Sequence, residues 1–259
     1  MKRRDFLSLS IISLVLTPLN ALAAVWNKTA FQAENRVDAE KGLSIFREIE
    51  SKDIEIVAPS EAENGAIVQV AVRSHIANTE AIAIFVDQNP TALIGNFLFH
   101  PAADPWLVTR INMVETSDIK IVVKSGHTYF TARQQVNVIE NRCGGSSRHD
   151  EPFKSSIKVR AKQQEDDREI TQINAIITHP MHTGYSKDVE GQLIPAHFIQ
   201  LVTIALNQQP VIEMQLGTGV SKNPYFTFNL NKAKLGDKIM IVWHDNLGYS
   251  DQADTVVIA

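Results

Sequence analysis

Apolar residues in this chain come in short runs bounded by turn formers, with almost no stretch in which they recur every third or fourth position. Residues 67–72, 81–86, 119–123 and 136–138 are rich in Val and Ile and flanked by polar residues, Gly, Pro or Asn. Such runs predict strands. A polar segment around residue 143 interrupts the pattern, which then resumes at 173–177, 198–206, 225–230, 239–243 and 255–258. The exception lies near residue 40, where Val37, Lys41, Leu43, Ile45, Phe46 and Ile49 give a partly apolar face and predict a short helix.

The second half of the chain copies the first at an offset of roughly 120 residues. Asp87-Gln88-Asn89-Pro90 corresponds to Asn207-Gln208-Gln209-Pro210, and Asp104-Pro105-Trp106 corresponds, one residue out of step, to Asn223-Pro224-Tyr225. Asp118 and Ile119 through Val123 match Asp237 and Ile239 through Val242. Tyr129 meets Tyr249, and Val136 and Val138 meet Val256 and Ile258. Short strands at this spacing with Asn-Pro turns predict an all-β protein of two tandem immunoglobulin-like sandwiches, preceded by the short helix. Two like domains in one chain are expected to pack as a pseudo-dimer, with the connection crossing their junction. The aromatic residues Trp106, Tyr225, Phe226, Phe228 and Trp243 fall at strand positions and are expected in the core.

The first residues have another character. Lys2-Arg3-Arg4-Asp5-Phe6-Leu7 precedes an apolar run to Leu19, and Ala21-Leu22-Ala23 offers a small-x-small cleavage site. That order is a secretory signal, and the paired arginines point to twin-arginine export. Residues 1–23 are therefore expected to be removed in a bacterial periplasm, leaving no membrane anchor, since the run is too short to span a bilayer. The formal net charge is −4, with both signs interspersed, which argues against nucleic acid or an anionic membrane as partner. No Gly-rich phosphate loop follows a strand and no nucleophile elbow appears.

In that compartment the cysteine count matters. The chain has one cysteine, Cys143, which cannot close an internal disulfide. An unpaired cysteine in an oxidising compartment points to an intermolecular bond or a reactive thiol. Gly144 and Gly145 follow it and free the backbone beside it, while Arg142, Arg148 and His149 lie within a few residues, where positive charge favours the thiolate; anion steering and ordinary solvated charge both stay open as their role.

The residues around these features resemble a known family pair. Ala58 through Gly65, Val86 through Pro90 and the glycine-flanked cysteine resemble SoxY, the sulfur-carrier subunit of the periplasmic thiosulfate-oxidising system. Thr178 through Gly184, Ile194 through Ile199, Asn223 through Phe226, Gly236-Asp237 and Trp243 through Gly248 resemble its partner SoxZ. The resemblance implies a SoxY–SoxZ fusion of the type associated with quinoprotein dehydrogenases. Residues 24–140 would form the SoxY-like sandwich, 141–156 the linker bearing the carrier cysteine and 157–259 the SoxZ-like sandwich. It further implies a carrier and not an enzyme: sulfur intermediates held covalently on Cys143, no other cofactor, and Sox-type or quinoprotein-dehydrogenase-associated enzymes as partners.

Two departures from the family bear on the mechanism. Asn141-Arg142 stand where SoxY has a preceding glycine pair, and the segment is tethered on both sides. At ~3.3 Å per residue, half of the 139–157 loop projects Cys143 roughly 10–15 Å from its strand. That length suits a client enzyme that differs from the usual Sox partners or has a more open site.

Two other readings stay open. His179, Met181 and His182 lie close in sequence, with His197 or His244 available, and imidazole with thioether suits copper. SoxZ explains His179-Pro180-Met181 without a metal, as a strand end and turn. The other reading is a plain β-sandwich interaction module. Glu61 and Glu63 have the appearance of an acid/base pair, but their surroundings predict a turn before a strand.

Overall fold

The computed structural model describes residues 25–139, 154–164, 166–167 and 169–259. Residues 1–24, 140–153, 165 and 168 lie outside these. Two short helices come first, α1 (Lys28–Phe31) and α2 (Arg36–Gly42). The first half then holds β1 (Glu48–Glu50), β2 (Ile54–Val57), β3 (Glu61–Ala62), β4 (Val68–Ser74), β5 (Ala81–Val86), β6 (Leu93–Phe99), β7 (Ala103–Ile111), β8 (Ser117–Ser125) and β9 (Thr128–Val138). The second half holds β10 (Ser156–Gln163), β11 (Ile170–Thr178), β12 (Ile199–Leu206), β13 (Gln209–Leu216), β14 (Tyr225–Asn231), β15 (Lys238–Asp245) and β16 (Ser250–Ile258).

In the first half a layer β2-β4-β7 faces a layer β9-β8-β5-β6; in the second, β10-β11-β14 faces β16-β15-β12-β13. The pairing follows from alternation. Val68, Val70 and Val72 of β4 point inward, as do Ile173, Ala175 and Ile177 of β11, while the residues between them face out. These are the two immunoglobulin-like sandwiches expected.

Their junction is made by strands. Antiparallel pairing of β6 with β13 sets Phe97 opposite Met214, and pairing of β7 with β14 sets Leu107 opposite Phe228. Both layers therefore run unbroken from one half into the other, as a pseudo-dimer, and the inward side chains of both halves form one core. Phe97 of one half meets Phe226 of the other edge-on, ring centroids 6.4 Å apart. Pairing of this kind covers edges that would otherwise expose unbonded N–H and C=O groups.

The N-terminal segment straps the outside. Ala30, Phe31, Ala39 and Ile45 cover Ala83, Phe85, Leu93 and Val122 on the outer face of β5, β6 and β8. Trp26 stacks on Phe31 and donates its indole N–H to the Leu216 carbonyl at 2.9 Å, reaching across the junction. Under α2, Lys120 donates to Glu40 at 2.6 Å and to Glu48 at 2.7 Å.

Three expectations are corrected. The helical region is two short helices ending at Gly42, with Ile49 already in β1. A Cβ at Gly42 would lie 2.7 Å from the Ala30 Cα, so the close crossing of α1 and α2 requires a glycine there. Val37, Phe46 and Ile49 are exposed, and Ala39 and Ile45 do the packing. Among the aromatics, Phe226, Phe228 and Trp243 are core residues, but Trp106 and Tyr225 point outward because they alternate with buried Leu107 and Phe226. Lastly, Glu61 begins the short strand β3, opposite Asn137, and both Glu61 and Glu63 are exposed.

Candidate functional site

The two halves differ most at one connection. Residues 75–80 join β4 to β5, whereas residues 179–198 join β11 to β12. The longer connection carries the His179-Pro180-Met181-His182 and Ile194-Pro195-Ala196-His197 segments. The structure brings both against Trp243 through Gly248 and against Asn223, so four motifs far apart in sequence meet at one end of the second sandwich.

Asn223 makes the first clasp. Its side-chain oxygen accepts the His179 backbone N–H at 3.1 Å, and its own N–H donates to the His179 carbonyl at 3.0 Å. Asn223 adopts φ 53, a left-handed conformation asparagine tolerates better than most residues. The chain then turns at Pro180 and Met181, the latter at φ 50. His182 and His197 exchange backbone hydrogen bonds at 2.7 and 3.0 Å, which brings the two histidine segments together.

Asp245 is the centre of the cluster. Its Oδ1 accepts the N–H groups of Leu247 and Tyr249 at 2.9 and 2.8 Å, closing the turn between β15 and β16. Its Oδ2 faces Nε2 of His197 at 2.7 Å and Nε2 of His179 at 3.4 Å. The two imidazoles meet edge-on at 4.6 Å, and His179 also lies edge-on to Trp243. The Met181 N–H donates to His179 Nδ1 at 3.1 Å. That bond places the His179 proton on Nε2, aimed at Asp245. Burial pushes the His179 pKa down to about 4; the Asp245 hydrogen bond and charge oppose this, while His197 and His182 add to the lowering. His179 is thus a neutral, structural donor.

These bonds also bear on copper. The ligand atoms of His179, His197 and Asp245 lie within 4.8 Å of one another. However, ligation through His179 Nε2 would need a proton on Nδ1, where the Met181 N–H already points. The Met181 sulfur accepts the Ile199 N–H at 3.4 Å and is buried. His244 is exposed between buried Trp243 and Asp245, on the opposite face of its strand. Two of the three proposed copper donors are committed to holding the loops, so the geometry gives copper no open donor set from them.

Cys143, Gly144, Gly145, Arg142, Arg148 and His149 lie outside the described residues. Where the described chain resumes, Ser155 and Ser156 lie beside the cluster. Ser155 Oγ bonds the carboxylate of Asp251, and Ser156 Oγ meets Thr178 Oγ1 at 2.7 Å, one residue before His179. Sequence reasoning singled out His179, Met181 and His182 but missed the central role of Asp245. The signal was present in the Trp243-His244-Asp245-Asn246-Leu247-Gly248 segment, as an aspartate opening a turn.

Paired sandwiches joined by continuous sheets, with a histidine–aspartate clasp at one end of the second, define the class: a tandem immunoglobulin-like β-sandwich protein. The family models are more specific. Residues 44–143 match the model "Sulfur oxidation protein SoxY" and residues 157–256 the model "Sulphur oxidation protein SoxZ". The chain belongs to these families, one domain of each in tandem, and SoxYZ is a non-catalytic sulfur-carrier complex of the sulfur-oxidation system. Among solved structures it is similar to the sulfur carrier protein SoxY from Chlorobium limicola f thiosulfatophilum, with 32% identity over 44% of this chain and 100% of that one, at a TM-score of 0.38. A β-glycosidase from Bacteroides vulgatus gives 11% identity over 85% of this chain and 26% of that one, at a TM-score of 0.26. No curated protein matches the chain.

Proposed function

We propose that this chain is a periplasmic covalent sulfur carrier that holds its cargo on Cys143 and serves either thiosulfate oxidation or a quinoprotein-dehydrogenase-associated pathway. The observation that carries the reading is the tandem order of the two family matches, with the SoxY match ending on Cys143. That end point supports reading the one thiol of the chain as the attachment cysteine. The chemistry suits a thiolate. Joining it to the outer sulfur of thiosulfate forms one S–S bond and withdraws two electrons, which the loading enzyme must accept. Hydrolysis of the terminal sulfonate then releases sulfate and leaves a persulfide, which passes on by exchange.

In this reading residues 1–23 are the twin-arginine signal, 24–140 the carrier sandwich, 141–156 the linker and 157–259 the supporting sandwich. Gly144 and Gly145 let the linker present the thiol, and Arg142, Arg148 and His149 draw sulfur oxyanions to it. The two-sided tether favours clients with an open active site.

Intact mass spectrometry of the mature protein, purified without reductant from periplasm of cells grown on reduced sulfur, tests this directly. Sulfur or thiosulfonate adducts on the wild type and none on Cys143→Ser are expected. A bare thiol, or a disulfide dimer alone, would overturn the carrier assignment in favour of an interaction module.

A further inference from the structure

The outward face of β10, β11, β14 and β7 gathers basic and aromatic side chains. Register places Lys158, Ile176 and Tyr225 in one row across three strands, with Arg110 of β7 over Tyr225, and Arg160 and Asn174 in the next row. These side chains line an open concavity of about 340 Å³. Its floor is Ile176, Asn174 and Tyr225, and its two rims are cationic. The Arg110 guanidinium lies 4.7 Å over the Tyr225 ring, held by cation–π attraction with its N–H edge left available. Tyr225 is itself fixed, its hydroxyl within 2.7 Å of Thr227 Oγ1 and 3.3 Å of Asn174 Oδ1. Among the described residues no carboxylate pairs with Arg110, Lys158 or Arg160. The acid on this face, Asp104, is bonded by Arg73, which in turn lies 5.5 Å over Trp106.

We propose that this face, centred on Arg110, Lys158 and Arg160, is where an acidic surface of a client enzyme docks; the proposal rests on the carrier reading above. Three observations favour a protein occupant. The cations form a positive island on a chain of formal net charge −4, an arrangement that steers and orients an oppositely charged partner. Arginine and large aromatics side by side are the residues that dominate protein interfaces. Lys158 and Arg110 also stand three strand spacings apart, about 14 Å between backbones. That width over an Ile176–Tyr225 floor exceeds what one small oxyanion bridges and suits a row of carboxylates. Arg110 comes from the first half and Lys158 and Arg160 from the second, so the surface exists only when the halves are paired.

The test uses the full chain in its native periplasm, reading by intact mass the fraction of Cys143 that bears sulfur. Lys158→Glu/Arg160→Glu is expected to lower that fraction by about fivefold or more, the effect of reversing charge at a steered interface. Lys158→Gln/Arg160→Gln should fall between, and Lys158→Arg/Arg160→Lys should stay near wild type. The purified reversed variant should keep the wild-type melting temperature and alkylation rate, which separates lost docking from lost folding. Wild-type occupancy in the reversed variant would overturn the docking surface while leaving the carrier reading intact. A wild type that never bears sulfur would overturn both. One-to-one calorimetric binding of thiosulfate to the purified wild type, abolished by reversal, would replace the protein partner with a small-anion subsite.

Discussion

His197 and Asp245 meet at 2.7 Å through Nε2 and Oδ2, joining the long connection that distinguishes the second sandwich to the turn between its last two strands. The same carboxylate takes two backbone N–H groups and the proton of His179, so one aspartate organises the whole end of the domain.

Asp245→Ala leaves those donors without their acceptor in a buried site. A loss of about 3–5 kcal/mol is expected, the range for breaking a buried hydrogen-bonded charge. Asp245→Asn keeps an oxygen for Leu247 and Tyr249 and should lose less. Urea denaturation at neutral pH measures both, and an Ala variant with the wild-type midpoint would contradict the role given to Asp245.

His179 makes stability depend on pH in a defined window. Its folded pKa is about 4, below the ordinary histidine value of 6.5. Above 6.5 neither state binds the proton. Between 6.5 and about 4 the unfolded chain takes a proton that the folded protein refuses, so stability falls as pH falls. Below about 4 both states are protonated and the effect is complete, at about 3 kcal/mol. Relative to His179→Gln, the wild type should show an extra slope of one proton across this window in denaturation curves. Parallel pH profiles would refute the assignment.

Lys120 is nearly buried between Glu40 and Glu48, with 4% of its side chain exposed. Lys120→Met removes the shared cation and leaves two largely buried carboxylates side by side, with Arg36 to compensate one of them. A destabilisation of about 3–5 kcal/mol is expected. The triple change Lys120→Met/Glu40→Gln/Glu48→Gln should recover part of it, and chemical denaturation of both variants decides.

The β12–β13 hairpin turns on Asn207 at φ 49 and Gln208 at φ 70. Two positive angles in a two-residue hairpin form the type I′ turn, whose preferred sequence is Asn-Gly. Gln208→Gly should therefore raise stability by roughly 0.5–1 kcal/mol, against the usual direction for a new glycine. A lower melting temperature would show that the Gln208 side chain contributes more than its strain.

Much of the architecture was readable in the chain. The run at 81–86 matches β5 at both ends, and the other predicted runs fall on strands β4, β8, β9, β11, β12, β14, β15 and β16. Besides β1, β2, β3 and β10, three strands were missed whose signals are weak for physical reasons. β6 contains Gly95 and Asn96, β7 contains Pro105, and β13 contains Pro210, each of which breaks a simple alternating pattern. β6, β7 and β13 also stand at the junction, where each half supplies the neighbour the other needs. Sequence periodicity reports which face of a strand is buried and carries no record of which edge is covered. The histidines of the site were visible as a motif. Their roles were not, because the Met181 N–H that fixes the His179 tautomer and the Asp245 carboxylate that unites the loops act through space. Trp106 and Tyr225 were assigned to the core on residue type, when their strand parity already placed them outside.

The continuity of both layers through β6–β13 and β7–β14 has a consequence for how the protein behaves when scarce. Two separate chains associating by such edges would come apart on dilution, and each freed half would present open strands to any passing β-rich polypeptide. Covalent succession of the halves replaces an intermolecular equilibrium with an intramolecular one, governed by tether length and independent of how many copies the cell makes. Unequal synthesis of carrier and support, with an orphan of either kind prone to aggregate, is thereby removed as a mode of failure.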